Sequence, residues 1–294
     1  MAHILKNNSL EIHVDLPLKH YKFSRFDWTG KITKVSFQNV QMSGVESPNC
    51  DNDAILGKAF YNEFGIDTAL GFEAAQIGGW FHKIGVGLLQ KDDKPYQFHK
   101  AYKLKPATFT TQCETDRIRS TCTSENVNGY AYILKKEIVL KDHSFSINYM
   151  LQNTGDKAIV TDEYVHNFTA INNTALGQEY QLKFPFQLQP AKFLATVNPQ
   201  QKVTIGHKTV SFNGTPIEPF FFSNLTGDAT VDAQWTLLHH KQNMGIRETG
   251  SFKTNKINLW GTTHVISPEL FIHIDLKPGE TKAWTRHYEV FEAD

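Results

Sequence analysis

Hydrophobic and polar residues alternate along many short segments of this chain, and turn-forming residues separate the segments about every ten residues. This period of two is typical of β-strands that bury one face, whereas the longer period of an amphipathic helix is scarce. The one helix that the pattern allows runs from Asp53 to Asn62, where apolar positions would share a face. The alternation therefore predicts an all-β fold with at most one short helix.

The clearest series of predicted strands is a meander in the middle of the chain. Its strands are expected at residues 130–134, 136–140, Ser144–Leu151 and Ala158–Ile171. Consecutive strands joined by short turns normally pair side by side and antiparallel, so we expect these strands to be neighbours in one sheet. No linker rich in Pro or Ser divides the sequence. We predict a single domain over residues 1–294, built as a large antiparallel sandwich of two sheets.

The charge balance limits the possible partners. Thirty basic residues offset thirty acidic ones, so net charge indicates neither a nucleic-acid partner nor attraction to an anionic membrane. The N-terminal residues lack the apolar run of a signal peptide, and no later segment has the length of a membrane span. Cys50, Cys113 and Cys122 cannot all pair within one chain and form no Cys-x-x-Cys motif. We expect a cytoplasmic protein with reduced thiols and a small-molecule partner.

A histidine lies among aromatic residues in the predicted strand at 158–171. Alternation places Tyr164, His166 and Phe168 on one face and Glu163 and Asn167 on the other. An isolated histidine in a strand is often a core residue whose ring nitrogens are both hydrogen-bonded. The alternative is a general acid, because an unperturbed pKa of about 6.5 suits proton transfer at neutral pH.

A glutamate interrupts the strand pattern near the C-terminus. Leu270, Ile272 and Ile274 share one face, so Glu269 falls on the other, directly after Pro268. A solvated glutamate at a strand end is the simplest interpretation. The alternative is a carboxylate in an aromatic-lined cleft, where a raised pKa would make it a usable base.

Glycines cluster around Lys83 in the segment Ile77–Gly87. The segment lacks the third glycine and the following helix pattern of a dinucleotide-binding loop. It instead predicts a strand bend that brings Lys83 into a cleft, with an ordinary surface lysine as the alternative. His239 and His240 are adjacent in a predicted strand, so they point to opposite faces and cannot both bind one tetrahedral metal ion. We predict no metal site.

Taken in order along the chain, these segments resemble the aldose 1-epimerase, or galactose mutarotase-like, superfamily. Gly78–Ile84, followed by Pro95–Phe98, is similar to the family's Gly-Arg-aromatic-Ala-Asn-Arg-Ile segment and the strand after it. Lys83 replaces a sugar-binding arginine there, which keeps the charge but loses the planar fork for two parallel hydrogen bonds. Val165–Phe168 resembles the family's Asn-His-x-Tyr-Phe-Asn strand, and Glu269 corresponds to its C-terminal catalytic glutamate.

The resemblance implies a large antiparallel β-supersandwich and an isomerase that interconverts sugar anomers without a cofactor. It implies His166 as the general acid and Glu269 as the base. Lys83, His99 and Trp260 are the expected substrate-binding residues, although His99 is only a loose substitute for the family's missing Leu-His-Gly-Gly signature. The glycine beside Trp260 would permit a close approach. The expected ligand is a monosaccharide or small carbohydrate.

Two other functions fit the same residues. A carbohydrate-binding protein would keep the cleft and its aromatic rings without turnover, because a fold does not define a function. A glycan-cleaving enzyme on the same sandwich would need an extended groove and a different arrangement of acid and base. The sequence leaves both alternatives open.

Overall fold

The structure is a computed structural model that describes residues 2–48 and 54–293. Strands dominate this part of the chain, and its only helices are two single 3-10 turns, Pro190–Lys192 and His240–Gln242. The strands are, in chain order, β1 (His3–Lys6), β2 (Leu10–Asp15), β3 (Lys31–Phe37), β4 (Val40–Gln41), β5 (Phe60–Phe64), β6 (Trp80–Lys83), β7 (Gly87–Gln90), β8 (Leu104–Pro106), β9 (Thr108–Cys113), β10 (Arg117–Thr123), β11 (Tyr132–Lys141), β12 (Ser144–Asn153), β13 (Ile159–Asn167), β14 (Tyr180–Lys183), β15 (Thr196–Val197), β16 (Val203–Ile205), β17 (Thr209–Phe212), β18 (Phe220–Phe222), β19 (Val231–His239), β20 (Met244–Thr254), β21 (Ile257–Gly261), β22 (Ile266–Leu270), β23 (Ile272–Leu276) and β24 (Thr281–Glu292).

Two large sheets carry most of these strands. A ten-stranded sheet has the order β16-β17-β14-β19-β20-β24-β12-β11-β10-β9. A seven-stranded sheet has the order β1-β2-β3-β5-β13-β23, with β4 paired to β3. The pairings along both sheets are antiparallel, as for β11 with β12 and β13 with β23. The all-β prediction is therefore confirmed for the described residues.

The two large sheets pack face to face around one core. The ring of Phe60 in β5 lies 4.8 Å from that of Tyr288 in β24. Phe64, on the same strand, meets Trp284 edge to face with a separation of 6.2 Å between ring centroids. One cluster of buried apolar side chains includes members of both sheets. Strands buried by this layering have to be apolar on at least one face, which explains the alternation in the sequence.

Two smaller sheets complete the described fold. A four-stranded sheet has the order β15-β18-β21-β22, and a three-stranded sheet has the order β6-β7-β8. β22 is an edge strand, where Pro268 costs no ladder hydrogen bond on its unpaired side. The carbonyl oxygen of Pro268 accepts a hydrogen bond of 2.6 Å from the side chain of Asn167 at the end of β13. This contact brings the four-stranded sheet against the seven-stranded one.

The predicted helix at 53–62 is wrong where it can be compared. Asp53 lies outside the described residues, positions 54–59 form turns and an isolated bridge, and Phe60 begins β5. β5 lies between β3 and β13, and all of its residues are buried. A strand covered on both faces carries apolar residues without strict alternation, so its pattern can be mistaken for one side of a helix.

The predicted meander is correct only in part. The strands expected at 130–134 and 136–140 are one strand, β11, which pairs with β12 as predicted. On its other side β12 pairs with β24, whereas β13 pairs with β5 and β23 in the other large sheet. The turn after β12 therefore crosses from one sheet to the other. The side chain of Asn153 holds this crossing by donating hydrogen bonds to the carbonyl oxygens of Lys157 and Leu276. Local alternation cannot distinguish such a crossing from a hairpin.

Among residues 2–48 and 54–293, no helix is long and apolar enough to cross a membrane. Cys113 is exposed and Cys122 is buried, and both are free thiols. Cys50 lies outside the described residues.

Candidate active site

A cavity of about 540 Å³ lies where the outer face of β13 meets the four-stranded sheet. β13 contributes Tyr164 and His166 to its wall, and β22 contributes Glu269. Strand alternation explains why these two β13 side chains face the cavity. Glu163 and Asn167 lie on the opposite face of the strand, where they contact the ten-stranded sheet. The complete lining is Arg25, Glu46, Ile66, Asp67, Phe98, His99, Tyr164, His166, Phe221, Lys256, Asn258, Trp260 and Glu269.

The cavity brings His166 and Glu269 together. Nε2 of His166 lies 3.4 Å from Oε1 of Glu269, although the two residues are about 100 positions apart in the sequence. His166 is 3% exposed and Glu269 is 4% exposed. Nδ1 of His166 is buried without a hydrogen-bond partner among the described residues, so it remains available to a ligand in the cavity.

Burial sets the protonation of this pair. Desolvation raises the pKa of Glu269 to about 8, against the smaller opposing effect of Arg25. Desolvation and the positive charge of Arg25 both hold the pKa of His166 well below its usual value. At neutral pH the favoured form is therefore a protonated carboxyl beside a neutral imidazole. The pair can still exchange one proton, and each group can give or take a proton from a ligand.

Aromatic rings fix the orientation of the histidine. The imidazole of His166 stacks on Phe168 with 4.0 Å between ring centroids and an interplanar angle of 11°. Trp260 meets it edge to face at 5.2 Å. Trp260 also lines the cavity, whereas Phe168 is fully buried behind the histidine. The glycine next to Trp260 serves packing, because a Cβ at Gly261 would come within 2.3 Å of Phe220.

The structure adds Arg25, which the sequence reasoning missed. Its Nε donates to Oε2 of Glu63 at 3.1 Å, and its Nη1 donates to Oε1 of Glu46 at 3.0 Å. Its guanidinium also lies over the ring of Phe98, 4.7 Å from the centroid. A guanidinium group has five N–H donors. The two carboxylates and a long contact to the hydroxyl of Tyr164 engage some of them, and the others are free for a ligand. The signal that could have revealed it is Glu63 within the buried strand β5, because a buried carboxylate needs a cationic partner.

Lys83 lies behind the cavity and is not among the residues that line it. It is 1% exposed, and its ammonium donates to Glu63 at 2.9 Å and to the hydroxyl of Tyr96 at 2.9 Å. Gly85, with φ of 80°, forms the tight turn between β6 and β7. The bend was predicted, but it directs Lys83 to Glu63 instead of to open space. Lys83 is connected to the cavity wall through Glu63, which also accepts a hydrogen bond from Arg25.

His99 does line the cavity, beside Phe98. Both residues belong to a turn between β7 and β8, so the strand expected at Pro95–Phe98 is not present. Trp80, another aromatic residue of the glycine-rich segment, lies in β6 outside the cavity wall. Four of the predicted site residues thus meet in one cavity: His99, His166, Trp260 and Glu269.

The rim of the cavity carries a second ion-pair group. Lys256 donates to Asp67 at 2.7 Å and to Asp162 at 3.0 Å, and its ammonium lies 4.2 Å from the centre of the Phe271 ring. Asp67 and Glu46 are the acidic lining residues besides Glu269. Positive and negative groups balance around the wall, so the cavity suits a polar ligand with little net charge.

The described part of the chain contains no group of three or more His, Cys, Asp or Glu side chains that could hold a metal ion. His239 is buried and His240 is exposed, as expected for adjacent residues at the end of a strand.

Comparisons with known proteins identify the fold. No protein-family model and no curated protein sequence matches this chain. A galactose mutarotase-like protein from Lactobacillus casei is 12% identical and superimposes with a TM-score of 0.61, covering 99% of this chain and 100% of that one. A galactose mutarotase related enzyme from Lactobacillus acidophilus is 10% identical with a TM-score of 0.59, covering 100% and 99%. An aldose epimerase homologue from C. elegans is 10% identical with a TM-score of 0.53, covering 100% of both chains. The chain therefore has the galactose mutarotase-like fold, and the resemblance in the sequence is confirmed at this level.

Proposed function

We propose that this protein is an aldose 1-epimerase-like isomerase that interconverts the anomers of a sugar. The observation that carries the proposal is the 3.4 Å contact between His166 and Glu269 in the wall of one cavity. Anomer exchange needs a base at the anomeric hydroxyl and an acid at the ring oxygen, and these two groups supply both. The similar solved structures support the proposal because their names include mutarotase and epimerase.

The reaction conserves the protons of the pair. The carboxylate of Glu269 takes the proton from the anomeric hydroxyl, and protonated His166 gives a proton to the ring oxygen as the C–O bond breaks. The carbonyl group of the open chain rotates, and the reverse transfers close the ring on its other face. A protonated carboxyl with a neutral imidazole has as many protons as this reactive form, so one transfer within the pair interconverts them.

Other lining residues would bind the sugar. Arg25 has N–H donors left for hydroxyl groups, and it is held in place by Glu46 and Glu63. Trp260 offers a ring face or edge for the apolar side of the sugar, and His99 lines the same cavity from the turn between β7 and β8. Lys83 would position Arg25 by neutralising Glu63. A cytoplasmic location stays a prediction.

The proposal is tested by measuring anomer exchange with a panel of aldoses, using saturation-exchange NMR. We expect the purified protein to accelerate exchange of at least one sugar, and His166→Ala and Glu269→Gln each to lower kcat by about 100-fold or more, the usual contribution of a general acid or base. Exposed His273→Ala and Glu218→Gln are the matched controls and should retain full rates.

Full activity in either site variant would show that the assigned roles are wrong. Sugar binding without any acceleration, across all anomers of the panel, would instead favour the carbohydrate-binding alternative. Release of fragments from a polymeric glycan would favour the glycan-cleaving one.

A further inference from the structure

A second cavity adjoins the candidate active site. It has a volume of about 510 Å³. Trp260 and Glu46 line both cavities, so the two cavities meet at these side chains. The remaining lining residues are Ser47, Pro48, Pro219, Thr262, Thr263 and His264. His166 and Glu269 line only the first cavity, so the second cavity has no part in the proposed proton transfers.

The lining of the second cavity has the chemistry of a neutral sugar site. Trp260 and two prolines supply apolar surface, while one serine and two threonines supply hydroxyl groups. A pyranose ring presents the complementary combination of C–H faces and hydroxyl edges. His264 is a fixed part of the wall, because its Nε2 is 2.8 Å from the carbonyl oxygen of Val45.

Charge argues against an anionic ligand in this cavity. None of its described lining residues is lysine or arginine. The only acidic one, Glu46, is already engaged by Nη1 of Arg25 at 3.0 Å and by the backbone N–H of Gly57 at 2.8 Å. A phosphate or carboxylate would therefore be desolvated here without a cationic partner, which is costly. An uncharged ring meets no such penalty.

We propose that the second cavity is a subsite for a second sugar unit, so that the protein prefers a reducing disaccharide or longer saccharide to a free monosaccharide. The inference rests on the proposed function: the reducing-end ring lies beside His166 and Glu269, and the glycosidically linked ring lies past Trp260. Only the hemiacetal of the reducing end reacts. Its C–O bond opens and closes as described above, and the glycosidic bond stays intact.

Filling the second cavity tests the inference. The experiment compares anomer exchange of glucose and galactose with that of maltose, cellobiose and lactose. For the wild-type protein we expect kcat/KM to be about tenfold higher for at least one disaccharide than for its reducing-end monosaccharide, which corresponds to about 1.4 kcal/mol. Thr263→Trp should abolish this advantage and leave the monosaccharide value within about twofold.

A matched variant controls for the added bulk. Thr204→Trp places the same ring at an exposed position of β16 and should keep the wild-type preference. Pro219→Trp, at an exposed position of the same cavity, serves as the second filling variant if Thr263→Trp does not fold. Equal kcat/KM for both sugar sizes in the wild type, or an equal loss for both in the filled variants, would overturn the inference.

A binding measurement separates this inference from the proposed function. If no sugar shows accelerated exchange, the function fails, and the subsite is then judged by calorimetric titration of the same sugars. Disaccharide binding that is about tenfold tighter than monosaccharide binding, and is lost only in the filled variants, would support the subsite alone. Equal affinities for monosaccharides and disaccharides would refute the subsite.

Discussion

The carboxyl group of Glu269 owes its chemistry to the place where it is buried. Arg25, the cation that most opposes the rise in its pKa, is engaged by Glu46 and Glu63, and Nε2 of His166 lies 3.4 Å from its Oε1. Desolvation therefore dominates and raises its pKa to about 8. A carboxyl poised near neutral pH can serve as acid or base, which an ordinary surface glutamate cannot do.

This raised pKa makes stability depend on pH. From the ordinary value of 4.5 up to about 8, the folded protein keeps a proton on Glu269 that the unfolded chain has released. The folded state therefore binds more protons, and the free energy of unfolding falls as pH rises through this window. Relative to Glu269→Gln, which has no such proton, we expect the wild type to lose about 2 to 4 kcal/mol between pH 5 and pH 8.

Urea unfolding at several pH values measures this difference. Glu218→Gln is the matched control, because its side chain is exposed and its difference from the wild type should stay constant. A difference between the wild type and Glu269→Gln that does not change with pH would contradict a raised pKa for the buried carboxyl.

At the scale of the elements, a buried polar network holds the strands that carry the site. Arg286 of β24 donates to Glu163 of β13 at 2.8 Å, to Glu248 of β20 at 2.7 Å and to the carbonyl oxygen of Leu270 at 2.8 Å. Asn167 holds the carbonyl oxygen of Pro268. The backbone is thus fixed on both sides of Glu269. His166 lies on β13 between Glu163, which accepts from Arg286, and Asn167. The ten-stranded sheet positions a site that it does not line.

Replacing Arg286, the cation at the centre of this network, should lower the free energy of unfolding strongly. Arg286 is fully buried, and Arg286→Met would leave Glu163 and Glu248 without a charged partner in the core. We expect a loss of about 3 to 5 kcal/mol in the free energy of unfolding. Arg247→Met is the matched control, since Arg247 pairs with Glu289 on the exposed face of the same sheet, and it should cost about 1 kcal/mol or less. Similar losses for both variants in urea unfolding would show that the network is not a structural anchor.

Strand β13 shows what could be predicted of these elements. The alternation correctly separated Tyr164 and His166 from Glu163 and Asn167, because that separation follows from backbone geometry alone. The partners of β13 could not be predicted, since β5 and β23 are remote in sequence and nothing local marks them. For the same reason Arg25 was missed: its role depends on Glu63, which reaches it only after β5 has entered the sheet.

At the scale of the whole molecule, the two large sheets share one apolar cluster, with side chains such as Phe60, Phe145 and Tyr288 in mutual contact. Neither sheet can keep its inner face buried when the other is removed. A shared core favours a single cooperative transition, and it is the physical basis for predicting one domain over residues 1–294.

We therefore expect unfolding curves from different probes to coincide. The five tryptophans include Trp28 outside the main cluster, Trp260 at the cavity and Trp284 between the large sheets. Their fluorescence and the far-UV circular dichroism should give the same urea midpoint. A fluorescence transition that precedes the loss of β-structure would indicate separate units and would contradict the single domain.

Local alternation and intrinsic side-chain chemistry were enough to predict the all-β class, the two faces of β13 and the residue types of an acid and base pair. Three features follow only from the folded chain: β13 leaves the meander, Lys83 contacts Glu63 behind the cavity, and His166 meets Glu269. These outcomes depend on which remote strands pair and on how completely water is excluded. Strand pairing and burial are properties of the whole fold, and they turned two unremarkable polar residues into a candidate catalytic pair.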